Sequence, residues 1–142
     1  ESMAVGSSEI SRMSRMTIVV AGEWGIVEQV RKQLDKVVEV VRVVDITSEE
    51  MIARELALIK VKANASTRSE ILEIVDIFRA KILDVAADSV VVEVTGDRDK
   101  VNSLFDLLRN FGIKEMNRTG CIATTRGSKA SLKQKKGLAP RK

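Results

Sequence analysis

The sequence predicts an α+β protein built from two tandem strand–helix modules, and three observations carry that reading. A strand-like run, Thr17-Ile-Val-Val-Ala-Gly22, returns 74 residues later as Val91-Val-Glu-Val-Thr-Gly96. Each copy is followed by apolar residues stepping by three, four and three: Val27, Val30, Leu34 and Val37, then Val101, Leu104, Leu108 and Phe111. That spacing is the stripe of one helix face, placed after a strand closed by glycine. The apolar residues make up 44% of the chain, yet they include only three Phe, one Trp and no Tyr. Val, Ile and Leu must therefore build the core, and these fit a pleated sheet and the helices covering it.

The complete copy is the second one. Arg54 to Lys62 reads as a strand with Glu55, Ala57, Ile59 and Val61 on one face and Leu56 and Leu58 on the other. Apolar residues on both faces imply a central position in a sheet. Asn64-Ala-Ser-Thr67 makes a turn, and Thr67 with Glu70 predicts a capping box. Ile71, Ile74, Val75 and Phe78 then keep helical spacing. Lys81 to Val85 and Ser89 to Val94 are expected as strands joined by a hairpin turn at Ala86-Ala-Asp-Ser89. Arg98 to Asn110 is expected as a helix ended by Gly112 in a left-handed cap, and Ile113 to Thr125 as the last strand. The order is βαββαβ, the ferredoxin-like plan of two helices on one face of a four-stranded antiparallel sheet.

The first copy begins part-way through this plan. Glu1 to Val5 and Met13 to Ala21 are its expected middle strands, Glu23 to Val38 its second helix and Glu39 to Ile46 its final strand. Its first strand and first helix have no counterpart in the chain. The expected organisation is a truncated amino-terminal domain over 1–48, a complete domain over 49–127 and a basic disordered tail over 128–142.

Charge follows that division. Of the 24 Lys and Arg, seven lie from Arg126 onward with no acid among them, so residues 1–125 hold 17 basic and 20 acidic groups and carry a net charge of −3. The folded body is mildly acidic and the tail reads as a solvated, disordered segment. No apolar run approaches the roughly 20 residues of a membrane span. A single cysteine, Cys121, excludes an internal disulfide, and the absence of histidine removes the commonest general base.

Catalytic motifs are absent. Neither G-x-G-x-x-G nor G-x-x-x-x-G-K-[ST] occurs, and Gly22 and Gly25 around Trp24 read as a strand-to-helix turn. Cys121 is expected as a buried, inert thiol, and Glu70, Glu73 and Asp76 as a solvated helix face. RNA binding competes because βαββαβ domains stack bases on aromatic residues of the central strands. Here those strands, Glu55–Val61 and Ser89–Val94, hold none. The open face is expected to be aliphatic, suited to pairing with another sheet. A stand-alone binding module for another enzyme or regulator remains a third reading.

Several segments together carry a resemblance: Ser11-Arg-Met-Ser-Arg-Met-Thr-Ile-Val-Val20, Val27-Glu-Gln-Val-Arg-Lys-Gln-Leu-Asp-Lys36, Arg54 to Val61, Glu73-Ile-Val-Asp-Ile-Phe-Arg-Ala-Lys81, and Phe111-Gly-Ile-Lys-Glu115 with Arg118-Thr-Gly120. The chain resembles the small regulatory subunits of acetolactate synthase. The resemblance implies an amino-terminal ACT domain that senses a branched-chain amino acid, valine first among them, and a second ACT-like domain that helps activate a catalytic subunit. It implies a homodimer through the ACT domains, with the effector between the two amino-terminal domains, and carries Ala4, Val5 and Gly6 over as effector-binding positions. It assigns thiamine diphosphate, FAD and magnesium to the catalytic partner and none to this chain. It implies a cytoplasmic protein, or a plastid stromal one in a plant or alga.

Overall fold

A computed structural model of the chain describes residues 1–128, so the expected tail beyond Ser128 lies outside the described residues. Two units form, one from Glu1–Ile52 with the described residues from Ala123, the other from Ala53–Ile122. None of the described helices is long and apolar enough to cross a membrane.

In the first unit, strands β1 (Ser2–Ser7) and β2 (Ser14–Val19) form an antiparallel hairpin with Ala4 opposite Thr17 and Val5 opposite Met16. Ser8 N–H donates to the Met13 carbonyl at 2.9 Å to close the turn, and Arg12 takes a positive φ of 64° within it. Helix α1 (Trp24–Asp35) follows Gly22, whose φ is 148°. A Cβ at Gly22 would stand 3.0 Å from Ile26 Cδ1, so the strand-to-helix turn needs glycine both for conformation and for space. Along α1, Arg31 bonds Glu28 one turn before it and Asp35 one turn after, the latter at 2.9 Å. The helix ends three residues before the expected Val38, which is 82% exposed.

The expected strand over Glu39–Ile46 does not form. In the second unit the fourth strand of the plan pairs with the first. The first unit contains no counterpart of that first strand among its described residues, so the backbone of Glu39–Ile46 has no ladder to join. A strand exists only as a partner in such a ladder. Asp45 instead bonds the Thr47 side chain and lies within electrostatic range of Arg31 on α1.

The second unit follows the plan closely: β3 (Met51–Lys62), α2 (Arg68–Ile77), β4 (Lys81–Val85), β5 (Ser89–Gly96), α3 (Arg98–Leu108), then β6 (Ile113–Arg118) and β7 (Ile122–Thr125). The strand order is β4-β5-β3-β6 with β7 also paired to β3, so β3 is central as its two apolar faces require. The division between units passes through β3 after Ile52 and through β7 after Ile122.

Ile59 lies opposite Val92 on one side and Met116 on the other, and Val61 opposite Val90 and Ile113. These rows face the helices and meet Ile71 and Val75 of α2 and Val101, Leu104 and Leu108 of α3, all but sealed from solvent. Each such side chain contributes roughly 1.5–3 kcal/mol relative to exposure.

Four expectations for this unit need correction. The capping box sits three residues earlier: Asn64 Oδ1 accepts from the Ser66 and Thr67 amides at 2.9 and 3.0 Å, while Thr67 Oγ1 accepts from Asn64 N–H. Asparagine caps at least as well as threonine, and the extra turn it nucleates leaves Thr67 itself in a helical conformation. The last strand is broken, because Gly120 at φ 80° separates β6 from β7. Helix α3 tightens into a 3₁₀ turn over Arg109–Phe111, and Gly112 ends it at φ 102°, ψ 120°, outside the left-handed helical region. The open face is not simply aliphatic: Leu56 and Leu58 share it with Lys60, Glu93 and Glu115, and Lys60 pairs with Glu115 at 3.7 Å. Reading β3 alone hid the charges that its neighbours bring.

Candidate functional site

The three carried-over positions all lie on β1, but they do not share a face. Strand alternation sends Ala4 and Gly6 to one side of the ribbon and Val5 to the other. Ala4 is half-buried opposite Thr17. Gly6 stands opposite Arg15, with no heavy atom within 4 Å of where its Cβ would be. At Gly6 itself the backbone of β1 is open to approach.

Val5 joins Met3, Met16 and Ile18 on the opposite side, where the register places Met3 against Ile18 and Val5 against Met16. These four are 60, 61, 52 and 38% exposed in the order Met3, Val5, Met16, Ile18. An apolar quartet of this kind on a two-stranded ribbon is surface suited to protein association. Beside it Arg15 pairs with Glu9 at 2.9 Å. Glu9 titrates below the ordinary carboxylate range, first through a backbone hydrogen bond and then through Arg15.

In the second unit the loop after β3 borders a surface cleft of about 370 Å³. Lys62, Asn64, Asp88, Phe111 and Lys114 are among the residues that line it. Its polar groups are largely engaged with one another. Lys114 Nζ donates to Asp88 Oδ2 at 2.7 Å, which holds the Asp88 carboxyl below its usual range. The Asn64 carboxamide is spent on the helix cap. Two backbone bonds, from Lys62 N–H to the Gly112 carbonyl and from Ala63 N–H to the Asp88 carbonyl, fix the walls at 2.8 and 3.0 Å.

Cys121 is 7% exposed, as a buried thiol should be, and Glu70, Glu73 and Asp76 are exposed on α2. Among the described residues no three His, Cys, Asp or Glu side chains gather as a metal site. What the sequence reading passed over is a polar network inside the apolar face. Glu55 bonds Arg118, which in turn donates to Asn102 Oδ1 of α3 at 2.8 Å. The signal was present in the alternation Glu55, Ala57, Ile59, Val61, where one carboxylate occupies a core row.

Fold and surface together define a tandem ferredoxin-like protein of the ACT type, with exposed strands. The profile of the family described as "Small subunit of acetolactate synthase" matches residues 54–127. A probable acetolactate synthase small subunit from Archaeoglobus fulgidus is 53% identical over 129 residues, 91% of this chain and 80% of that protein. The acetolactate synthase small subunit of Bacillus subtilis is 46% identical over 140 residues, 98% of this chain and 81% of that protein. The crystal structure of the Thermotoga maritima acetolactate synthase small subunit superposes with a TM-score of 0.80 at 41% identity, covering 89% of this chain and 80% of that one. The chain belongs to the acetolactate synthase small-subunit family.

Proposed function

We propose that this chain is a non-catalytic regulatory subunit that activates an acetolactate synthase catalytic subunit and makes it sensitive to a branched-chain amino acid, valine foremost. Family membership over nearly the whole described chain is the observation that supports this reading. The exposed Met3, Val5, Met16 and Ile18 suit a protein whose work is docking.

In this reading thiamine diphosphate, FAD and magnesium belong to the catalytic partner, which joins two pyruvates, or pyruvate with 2-oxobutyrate. The regulatory chain works as a homodimer in the cytoplasm or the plastid stroma. Ala4, Val5 and Gly6 form part of an effector pocket between two amino-terminal units. Effector binding changes how those units pack, and a coupling of about 1–3 kcal/mol carries the change to catalysis.

Acetolactate formation by the catalytic subunit, measured with and without this chain, tests activation. Turnover that does not change at saturating regulatory chain sinks the proposal. Calorimetric titration with valine, leucine and isoleucine, repeated on Gly6→Val, tests the effector positions separately.

A further inference from the structure

The two units differ in what seals them from water. Every buried residue of the described chain lies between Glu55 and Cys121, and none from Glu1 to Arg54 is buried. The first unit therefore holds together without a sealed core. Its sheet is a ribbon of two strands, and α1 lays Val27, Val30 and Leu34 in half-buried positions without burying one side chain. Trp24, at the start of α1, is 76% exposed. A two-stranded ribbon is marginal in water by itself. The ion pairs of Arg31 with Glu28 and Asp35 and of Arg15 with Glu9 all stand in contact with solvent, where such pairs add little. The turn of the ribbon also holds Arg12 at φ 64°, a conformation unfavourable to any residue with a Cβ.

We propose that β1, β2 and α1 open and close as one segment while the second unit stays folded, so that order in the segment is set by what binds it. Opening the first unit uncovers little apolar surface that water does not already reach. Opening the second would expose Ile59, Val92 and Leu104, which are fully buried. Segments of low burial open at a small fraction of the free energy of global unfolding. Any group that engages only the closed form then shifts the balance toward it by mass action. The first unit is thus an order–disorder switch attached to a stable body. Its opening rests on burial alone; only its use by an effector at Ala4, Val5 and Gly6 rests on the function proposed above.

Native-state hydrogen–deuterium exchange on the full chain, without effector or partner, tests this. Protection of the hydrogen-bonded amides of β1 and β2 is expected to be about a hundredfold lower than that of β3 and β5. Ile59→Val, a mild loss in the sealed core, should lower protection in β3 and β5 roughly fivefold and leave β1 and β2 unchanged. Arg12→Gly, which relieves the turn, should raise protection in β1 and β2 about threefold and leave β3 and β5 unchanged. Comparable protection in the two units would overturn the proposal, as would either variant moving both units alike. Exchange is read with no effector present, so this inference and the proposed function fail separately.

Discussion

Glu55 and Arg118 form an ion pair inside the helix-covered face of the sheet, diagonally across β3 and β6, where Arg118 lies directly opposite Ala57. The Glu55 side chain is 3% exposed and that of Arg118 31%. Arg118 also bonds Asn102, so one guanidinium ties two strands to α3. Such a carboxylate is tolerable at this depth only while its partner is present.

Removing one member should therefore cost far more than removing both. Arg118→Ala is expected to lower unfolding stability by roughly 3 kcal/mol, since it strands a buried carboxylate. The double change Glu55→Leu with Arg118→Leu should recover most of that loss. Urea unfolding midpoints check it, and a double variant as weak as the single one would contradict the account.

Asn64 holds the start of α2 through two backbone amides. Asn64→Ala should destabilise the unit by about 1 kcal/mol. Thr67→Ala, which removes the reciprocal acceptor and a longer hydroxyl bond to Asn64 Oδ1 at 3.3 Å but leaves both capped amides their acceptor, should cost less. Thermal unfolding of the two variants ranks them, and a costlier Thr67→Ala would restore the cap to the position that sequence spacing first indicates.

Arg79 ends α2 at φ 52°, with its own N–H bonded to the Asp76 carbonyl at 3.0 Å and Ala80 N–H to the Val75 carbonyl at 2.9 Å. This is the Schellman arrangement, in which glycine normally occupies the left-handed position. Arg79→Gly is expected to stabilise by about 0.5–1 kcal/mol, the steric relief being partly offset by added freedom in the unfolded chain. A lower urea midpoint than that of the parent would refute this.

The Asp88–Lys114 pair gives a pH signature. Lys114 lowers the folded pKa of Asp88 below its unfolded value, so the folded state binds this proton less readily than the unfolded chain. Its contribution is present above the ordinary carboxylate range and is lost as pH falls through the folded pKa. Asp88→Asn should be less stable than the parent at neutral pH and should converge with it in acid. The neutral-pH gap should narrow in high salt, because the carboxylate side chain is 77% exposed. Denaturation curves at several pH values decide the matter.

Legibility varied with the range of the interactions involved. The central placement of β3 followed from apolar residues on both its faces, and the core stripe Val101, Leu104, Leu108 from helical spacing alone. Ala4, Val5 and Gly6 came from family likeness, and only the strand geometry revealed that Val5 points away from the other two. Glu39–Ile46 corresponds to the final strand of the second module, yet among the described residues no backbone of the first unit pairs with it.

The sequence by itself determined the second βαββαβ unit, the position of its helices and the identity of its core, because hydrophobic periodicity is written within each element. Tertiary structure alone decided the Glu55–Arg118–Asn102 network, the register shift between Ile82 and Asp84 on β4, and the break at Gly120. These depend on register between segments distant in the chain, and a pattern confined to one segment carries no information about which residue of another segment will lie beside it.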